Sequence, residues 1–166
     1  TLIGSYWDET SASWVISTKD EYSYNANGNL ILLMVYFWDE FNLEWTTVYK
    51  SEYTYDANGY LLLDTEYEWD YFSNEWVYSR KQEYSYDASG NLDQEIEYYW
   101  DNNSSQWIKE YNDQFSYNNS YTLNDLILPY ISDEGMYYYF SHMLTGIDES
   151  VWDVGSNQWV DSEKAT

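Results

Sequence analysis

The sequence predicts an all-β protein, an antiparallel meander of about five 31-residue hairpin repeats, or about ten strands. Two observations support this fold class. The segments 22–30, 53–61 and 84–92 read YSYNANGNL, YTYDANGYL and YSYDASGNL, and each begins 31 residues after the previous one. The ten tryptophans form five pairs with a spacing of seven, and an Asp follows the first member each time. The pairs are Trp7/Trp14, Trp38/Trp45, Trp69/Trp76, Trp100/Trp107 and Trp152/Trp159.

Each repeat contains two kinds of predicted turn. In the first, Asp56–Gly59, a type I turn ends on a glycine that can adopt positive φ, as in three-residue hairpin loops with a bulge. Residues 25–28 and 87–90 repeat this chemistry, and a degenerate copy begins at Phe115. The second turn, such as 70–75, lies between paired tryptophans. Between the turns run stretches of about ten residues with period-two alternation, which is typical of strands.

The pairing of these strands predicts two chemically different faces. We place Tyr55 opposite Leu61 across the glycine turn, and Trp38 opposite Trp45 across the other turn. Since partners in a ladder share a face, one side of the sheet is expected to be aromatic and the other acidic. The aromatic face carries Leu61, Leu63, Tyr67, Trp69, Trp76, Tyr78, Tyr84 and Tyr86. The acidic face carries Glu52, Asp64, Glu66, Glu68, Lys81, Glu83, Asp93, Glu95 and Glu97.

The same register predicts curvature. A row across the sheet runs through Met34, Tyr49, Tyr67, Tyr78 and Trp100. Met34 and Tyr67 are two residues further apart than the 31-residue repeat, so the register shifts by about two residues for every two strands. A shear of this size is found in barrels whose strands tilt by about 36°. We therefore expect the sheet to curl into a barrel-like or coiled sheet with an aromatic inner face.

The chain of 166 residues is predicted to be a single β-repeat domain, 1–166, which is a fragment of a repeat array. The last tryptophan pair follows the fourth by 52 residues, which predicts an insertion at about 122–146. Strand 29–38 is apolar on both sides, because Ile31, Leu33, Val35 and Phe37 occupy the face that is acidic elsewhere. Its predicted cover is the apolar insertion or another protein molecule.

Composition excludes several classes of protein. Thirty acidic against six basic residues give a formal charge of −24, so we predict no nucleic-acid partner and no binding to an anionic membrane surface. The chain has no cysteine, hence no disulfide framework and no thiolate metal site. No apolar run approaches the ~18 residues of a membrane helix, so no membrane insertion is expected.

The YxYDAxGNL core of each repeat resembles the YD repeat of the rearrangement-hotspot and teneurin families, whose hairpins coil into large β-shells. Over nearly the whole chain, the sequence is similar to secreted Bacteroidetes repeat proteins that carry a type IX sorting tail. Those proteins share the Tyr-Asp-x-x-Gly-Asn turns, the Trp-Asp hairpins and an Asp-Leu-Ile-Leu-Pro insertion, here 125–129. The sorting tail is absent, and the turn at 118–120 lacks its glycine. The resemblance implies an extracellular or cell-surface location and supplies no catalytic residues.

The sequence offers little for catalysis. His142 is the only histidine, no cysteine is present, and no serine lies in a nucleophile elbow. His142 lies among aromatic residues of the insertion, where a structural role is the favoured interpretation. Paired carboxylates are abundant in a chain with 30 acids, and proximity alone does not identify a glycosidase. We predict that the protein is not an enzyme and uses no organic cofactor.

Two kinds of binding site remain open. Glu52 is expected opposite Asp64, and Glu83 opposite Glu95. Like charges in such positions repel, and Ca²⁺ would relieve the repulsion; simple solubility is the favoured alternative. Flat aromatic rings also stack on sugars, which makes Trp69, Trp76, Trp100 and Trp107 the candidates for polysaccharide binding. Their recurrence at one position in every hairpin favours a structural role instead.

The favoured function is a non-enzymatic extracellular structural or adhesive repeat protein, which self-associates into fibres through edge strands. A carbohydrate-binding module is the alternative. The first segment, 1–7, carries no charged side chain that would block edge pairing. The first and last strands are expected either to pair within one molecule, which closes a barrel, or to pair head to tail between molecules.

Overall fold

The computed structural model describes residues 1–122 and 142–162. Most of the predicted insertion therefore lies outside the described residues, as do the last four residues. The described part contains ten strands and no α-helix. The strands are β1 (Leu2–Asp8), β2 (Ser13–Tyr24), β3 (Leu30–Asp39), β4 (Glu44–Tyr55), β5 (Leu61–Asp70), β6 (Glu75–Tyr86), β7 (Leu92–Asp101), β8 (Gln106–Thr122), β9 (His142–Asp153) and β10 (Gln158–Asp161).

The strands form one sheet in the order of the chain, from β1 to β10. This confirms the predicted all-β antiparallel meander of ten strands. The order does not return from β10 to β1, so the described strands do not close into a barrel. The chain divides into two compact units, Thr1–Lys81 and Gln82–Thr166, which are described separately below. No helix in the described ranges has the length and apolar character needed to cross a bilayer.

The predicted glycine turns form in both units. Asp56 shows the chemistry: its carbonyl accepts from the Gly59 N–H at 3.2 Å, and its Oδ1 accepts from the N–H groups of Asn58 and Tyr60. Gly59 has φ of +92°, a conformation in which any Cβ would be strained. The pairing of Tyr55 with Leu61 beyond this turn is confirmed.

The predicted separation of an aromatic from an acidic face is wrong. Tyr36 pairs with Thr47 and Val35 pairs with Tyr49, so Val48 is an extra residue in β4. This bulge reverses the phase of β4 relative to β3 beyond it. A second irregularity leaves Leu62 as an extra residue in β5, since Tyr55 pairs with Leu61 and Thr54 with Leu63. Glu52 therefore lies opposite Thr65, not Asp64.

Asp64 lies opposite Tyr53 on the other face. The predicted row through Met34 and Tyr67 exists, but it passes through Lys50 instead of Tyr49. Each face of the first unit is consequently mixed, with aromatic, acidic and aliphatic side chains in adjacent rows.

In the second unit, β7, β8 and β9 pair in order. The degenerate turn predicted at 118–120 does not form, because β8 continues to Thr122 with a register shift between Asn118 and Thr122. The insertion was predicted to end at about 146, but β9 already begins at His142.

Few apolar side chains are buried among the described residues. Leu92 and Phe115 are 4% and 6% exposed, and both lie in the second unit. In strand β3, Leu33 and Val35 are half-buried while Phe37 is exposed. Stability in each unit therefore comes from contacts between neighbouring side chains along the sheet. Whether the insertion covers strand 29–38, as predicted, depends on residues outside the described ranges.

Candidate functional site

The tryptophan pairs are the most regular feature of the sheet. Trp69 and Trp76 face each other across their turn with ring centroids 5.2 Å apart and ring planes at 75°. Trp100 and Trp107 have the same edge-to-face arrangement at 5.1 Å and 69°. All four rings are half-buried. Edge-to-face contact of this kind is a favoured aromatic geometry. The predicted placement of paired tryptophans opposite each other, stated above for Trp38 and Trp45, is therefore confirmed.

The first tryptophan pair differs from the others in its exposure. Trp7 and Trp14 keep the edge-to-face geometry at 5.8 Å, but they are 50% and 69% exposed. The spacing of seven residues is the same in all five pairs, so the sequence pattern alone does not reveal this difference in exposure. The structure leaves the first pair more accessible to a ligand than the four tryptophans that were predicted as sugar-binding candidates.

A lysine on one face of the first unit contacts both a glutamate and an aromatic ring. Lys50 Nζ lies 2.6 Å from Glu52 Oε1 and 3.9 Å from the centroid of the Tyr67 ring. The Tyr67 hydroxyl donates to Glu52 Oε2 at 3.0 Å. Burial raises the pKa of Glu52, but hydrogen bonds from Lys50 and Tyr67 outweigh it, and the net shift is downward.

The same cluster recurs one repeat earlier. Lys19 binds Glu21 at 3.0 Å and lies 3.9 Å from the Tyr36 ring centroid. The Tyr36 hydroxyl donates to Glu21, as Tyr98 donates to Glu83 in the second unit. Glu52 and Glu83, two of the predicted metal candidates, are thus acceptors in hydrogen-bonded clusters.

The predicted metal candidates do not form the expected pairs in the first unit. Glu52 and Asp64 lie in different rows, opposite Thr65 and Tyr53 respectively. Within residues 1–122 and 142–162, no three acidic or histidine side chains form a group that could hold a metal ion. Asp64 is half-buried, and its buried Oδ1 atom has no hydrogen-bond partner among the described residues. Burial, reinforced by the Glu66 charge, raises the pKa of Asp64 to about 7.

Three carboxyl side chains lie in one row of the second unit. Glu95 of β7 pairs with Asp113 of β8, and Asp113 pairs with Glu149 of β9. Burial, then the charges of Glu97 and Asp113, raise the pKa of Glu95 to about 7. The pKa of Asp113 is also raised, by burial and by Glu149 and Glu97. We call Glu95, Asp113 and Glu149 the carboxyl ladder.

His142 is tied to the third glycine turn. Its backbone N–H donates to Asn91 Oδ1 at 3.1 Å, and its ring Nδ1 lies 3.2 Å from the same atom. Asn91 is fully buried, and its Nδ2 donates to Asp87 Oδ2 at 2.8 Å. These contacts connect the start of β9 to the turn before β7.

An exposed aromatic group occupies two neighbouring hairpin tips of the first unit. Phe41 and Phe72 are 99% and 100% exposed, and Tyr71 beside Phe72 donates to the Thr47 carbonyl at 3.1 Å. The backbone N–H groups of both phenylalanines donate to the Asp that opens each turn. We call Phe41, Tyr71 and Phe72 the aromatic tips.

Sequence reasoning missed the aromatic tips, although a signal was present. The position of Phe41 and Phe72 is occupied by Thr10, Asn103 and Gly155 in the other hairpins. The turn therefore does not require an aromatic ring at this position. Comparing the same turn position across all repeats therefore distinguishes residues that the fold needs from residues, such as these phenylalanines, that it does not need.

The second unit also contains a polar cleft of about 560 Å³ beside β9 and β10. Its lining includes Ile147, Asp148, Glu149, Ser150 and Asp161. The end of the carboxyl ladder at Glu149 therefore borders solvent. The cleft has few apolar walls, unlike typical small-molecule sites.

Comparison with known proteins relates the chain to others by fold. No protein-family model matches it. No curated protein matches either. A crystal structure of a protein of unknown function from Bacteroides fragilis is similar, with a TM-score of 0.64 and 14% identity, over 87% of this chain and 88% of that one. At this identity the similarity shows the fold alone.

Two further structures have lower scores. A DUF3836 family protein from Bacteroides vulgatus aligns with a TM-score of 0.48 and 19% identity, over 56% of this chain and 90% of that chain. A DUF3836 family protein from Parabacteroides distasonis aligns with 0.41 and 25% identity, over 54% and 83%. The structural neighbours are thus proteins of Bacteroides and a related genus.

Proposed function

We propose that the chain is a non-enzymatic, extracellular or cell-surface repeat scaffold with a structural or adhesive role, and that it self-associates through sheet edges. The repeated side-chain clusters support a scaffold, since each one connects neighbouring hairpins and none assembles a reaction centre. The YD-like sequence of the turns and the Bacteroides neighbours support placing it among secreted repeat proteins of Bacteroidetes.

The main support for self-association is that β1 lies at an edge of the sheet. It pairs with β2 alone among the described strands, and its Leu2 and Ile3 side chains are exposed. An unpaired edge presents a row of N–H and C=O groups that a further strand can pair with. Ser5, in the middle of β1, lies opposite Ile16 and is exposed. The centre of this edge therefore has no charged side chain that would oppose pairing with a further strand.

Sedimentation of the chain at micromolar concentration tests this proposal. We expect species larger than the 20.0 kDa monomer, and we expect Ser5→Lys to sediment as a monomer, because an edge lysine blocks strand addition. Thr10→Lys, in the exposed first turn, adds the same charge and is expected to assemble like the unmodified chain. A monomeric unmodified chain, or Ser5→Lys that assembles normally, contradicts the proposal.

The second candidate function is binding of neutral polysaccharide, and the aromatic tips favour it. The two equivalent tips belong to neighbouring hairpins, and two strand spacings in a sheet amount to about 9–10 Å. Exposed rings at such a spacing can stack on two separate sugars of one extended chain. The charge of −24 makes an uncharged polymer the compatible partner.

Depletion of the protein from solution by insoluble neutral glucans and mannans tests the second function. We expect binding to fall when Phe41→Thr and Phe72→Asn are combined, since other hairpins carry Thr and Asn there. Trp69→Ala provides the comparison with a tryptophan that was predicted from sequence. Binding that is absent, or unchanged in the double variant, rejects the aromatic tips as the site.

A further inference from the structure

The carboxyl ladder departs from the rest of the repeat. In the first unit the corresponding row is Leu33, Ser51 and Glu66, which places one carboxyl group among two uncharged side chains. In the second unit, Glu95 and Asp113 occupy the positions of Leu33 and Ser51. The hairpin fold therefore does not require acids at these two positions.

Among the described residues, the groups that act on Glu95 and Asp113 include no cation. Glu95 faces Glu97 on its own strand, Asp113 on β8 and the Tyr84 hydroxyl on β6. Asp113 faces Glu149 on β9 and Glu97. Like charges directly opposite each other in a sheet are destabilising. Burial of Glu95 and Asp113 increases the cost, because a carboxylate loses hydration there.

We propose that the carboxyl ladder Glu95–Asp113–Glu149 is a proton-binding element through which acidification stabilises the second unit. A proton on the central members removes the like-charge contacts across β7, β8 and β9. The carboxyl oxygens can then hydrogen-bond across the row. Solvent reaches the row from the cleft beside Glu149, so proton exchange needs no opening of the sheet.

The sign of the effect follows from linkage. The pKa of Glu95 is raised to about 7, above the value of a carboxyl group in the unfolded chain. The folded state therefore binds more protons than the unfolded state between the two values. Stability contributed by the ladder is fully present below the unfolded pKa. It is lost as the pH rises through the folded pKa.

Two measurements test the ladder. The first is the thermal midpoint of the unmodified chain, Glu95→Gln and Asp113→Asn between about pH 5 and about pH 8. We expect each variant to be more stable than the unmodified chain at the alkaline end. We also expect each to lose about half of the pH dependence or more.

Asp148→Asn is the matched control. It removes the same charge from the residue next to Glu149, on the opposite face, where Asp148 lies opposite the uncharged Gln114. We expect the control to leave the pH dependence close to that of the unmodified chain. Equal effects of Asp148→Asn and Asp113→Asn would mean that net charge, rather than the ladder, sets the response, and this result overturns the proposal.

The second measurement is a carboxyl ¹³C NMR titration of the folded protein, which reports protonation of Glu95 directly. We expect a midpoint well above the ordinary pKa of a glutamate side chain, and a downward move of that midpoint in Asp113→Asn. A Glu95 midpoint at the ordinary value overturns the proposal. The titration remains informative if a ladder variant fails to fold, since it is first made on the unmodified chain.

Discussion

The fully buried carboxamide of Asn91 accepts a hydrogen bond from the backbone N–H of His142, 51 residues further along the chain, at 3.1 Å. Its amide group donates to Asp87, which itself organises the glycine turn before β7. One side chain thus connects a repeat turn to the point where the chain enters β9. The only histidine of the sequence takes part in this connection, in agreement with the structural role favoured for it.

We expect Asn91→Ala to lower the free energy of unfolding by about 1–3 kcal/mol, because it leaves the buried donors of this contact without an acceptor. Urea unfolding measures the loss, and hydrogen exchange at the His142 amide reports it locally. Asn29→Ala is the matched control, since Asn29 occupies the same turn position in the first repeat and is only half-buried. A loss no greater than that of the control contradicts the prediction.

A second prediction concerns Trp69 and Trp76, whose edge-to-face contact is expected to be worth about 0.5–1.5 kcal/mol beyond burial alone. A double-mutant cycle with Trp69→Ala and Trp76→Ala, followed by urea unfolding, measures this coupling directly. We expect each single substitution to cost less than truncation in a closed core, because both rings are half-buried.

The exposed pair Trp7 and Trp14 provides the comparison for that cycle, and we expect its single substitutions to cost less. A coupling energy of zero for Trp69 and Trp76 would show that their edge-to-face contact does not itself stabilise the hairpin. The tryptophans would then be available for another role, such as the predicted binding of sugars.

Much of the backbone plan was predictable, because a repeat shows the same local signals several times. The Asp-x-x-Gly turns and the facing tryptophans place Tyr55 opposite Leu61 and Trp38 opposite Trp45, as the structure confirms. The extra residues Val48 in β4 and Leu62 in β5 were not predictable from alternation, since one extra residue leaves the pattern on each side intact. The consequence for function was large, because the shift at Leu62 moves Glu52 away from Asp64 and removes the expected acidic pair.

The second kind of turn also holds a feature that sequence reasoning missed. Leu43 adopts φ of +55°, and Ala12, Asn74, Ser105 and Asn157 have the same conformation in the other hairpins. None of these residues is a glycine and only two are asparagine, so the usual signal of a left-handed position is missing in three of the five turns. The backbone strain is accepted at this position in every hairpin of the described chain.

We therefore expect Leu43→Asn to raise the free energy of unfolding by about 0.5–1 kcal/mol, because asparagine tolerates the left-handed conformation better. The side chain of Leu43 is 71% exposed, so little burial is lost. Leu43→Ala keeps the strain and is expected to be close to neutral. Thermal unfolding of the unmodified chain and the two variants measures these differences in stability. If Leu43→Asn is no more stable than Leu43→Ala, backbone strain at this position does not limit stability.

Lys50 is expected to stabilise the first unit through both its charge and its position over Tyr67. Lys50→Met keeps the aliphatic stem but removes the contacts to Glu52 and to the ring, and we expect a loss of about 1–2 kcal/mol. The pKa of Glu52 should rise in this variant, since the hydrogen bond from Lys50 lowers it. Adding Glu52→Gln should recover part of the loss. A double variant as unstable as the sum of its parts would show that the two residues act independently.

The last prediction concerns ions, since 30 acids against six bases leave strong self-repulsion within the chain. Sodium chloride is expected to raise the melting temperature, because it screens charges further apart than about 10 Å at 0.1 M. Calcium is expected to act no more strongly than sodium chloride of the same ionic strength, because the predicted pair of Glu52 and Asp64 does not form. Glu52 already binds Lys50, and Asp64 lies in another row opposite Tyr53. An effect of calcium well beyond matched ionic strength would instead indicate a true site, and its loss in Glu95→Gln would locate that site on the carboxyl ladder. A melting temperature indifferent to both salts would show that the net charge does not limit stability.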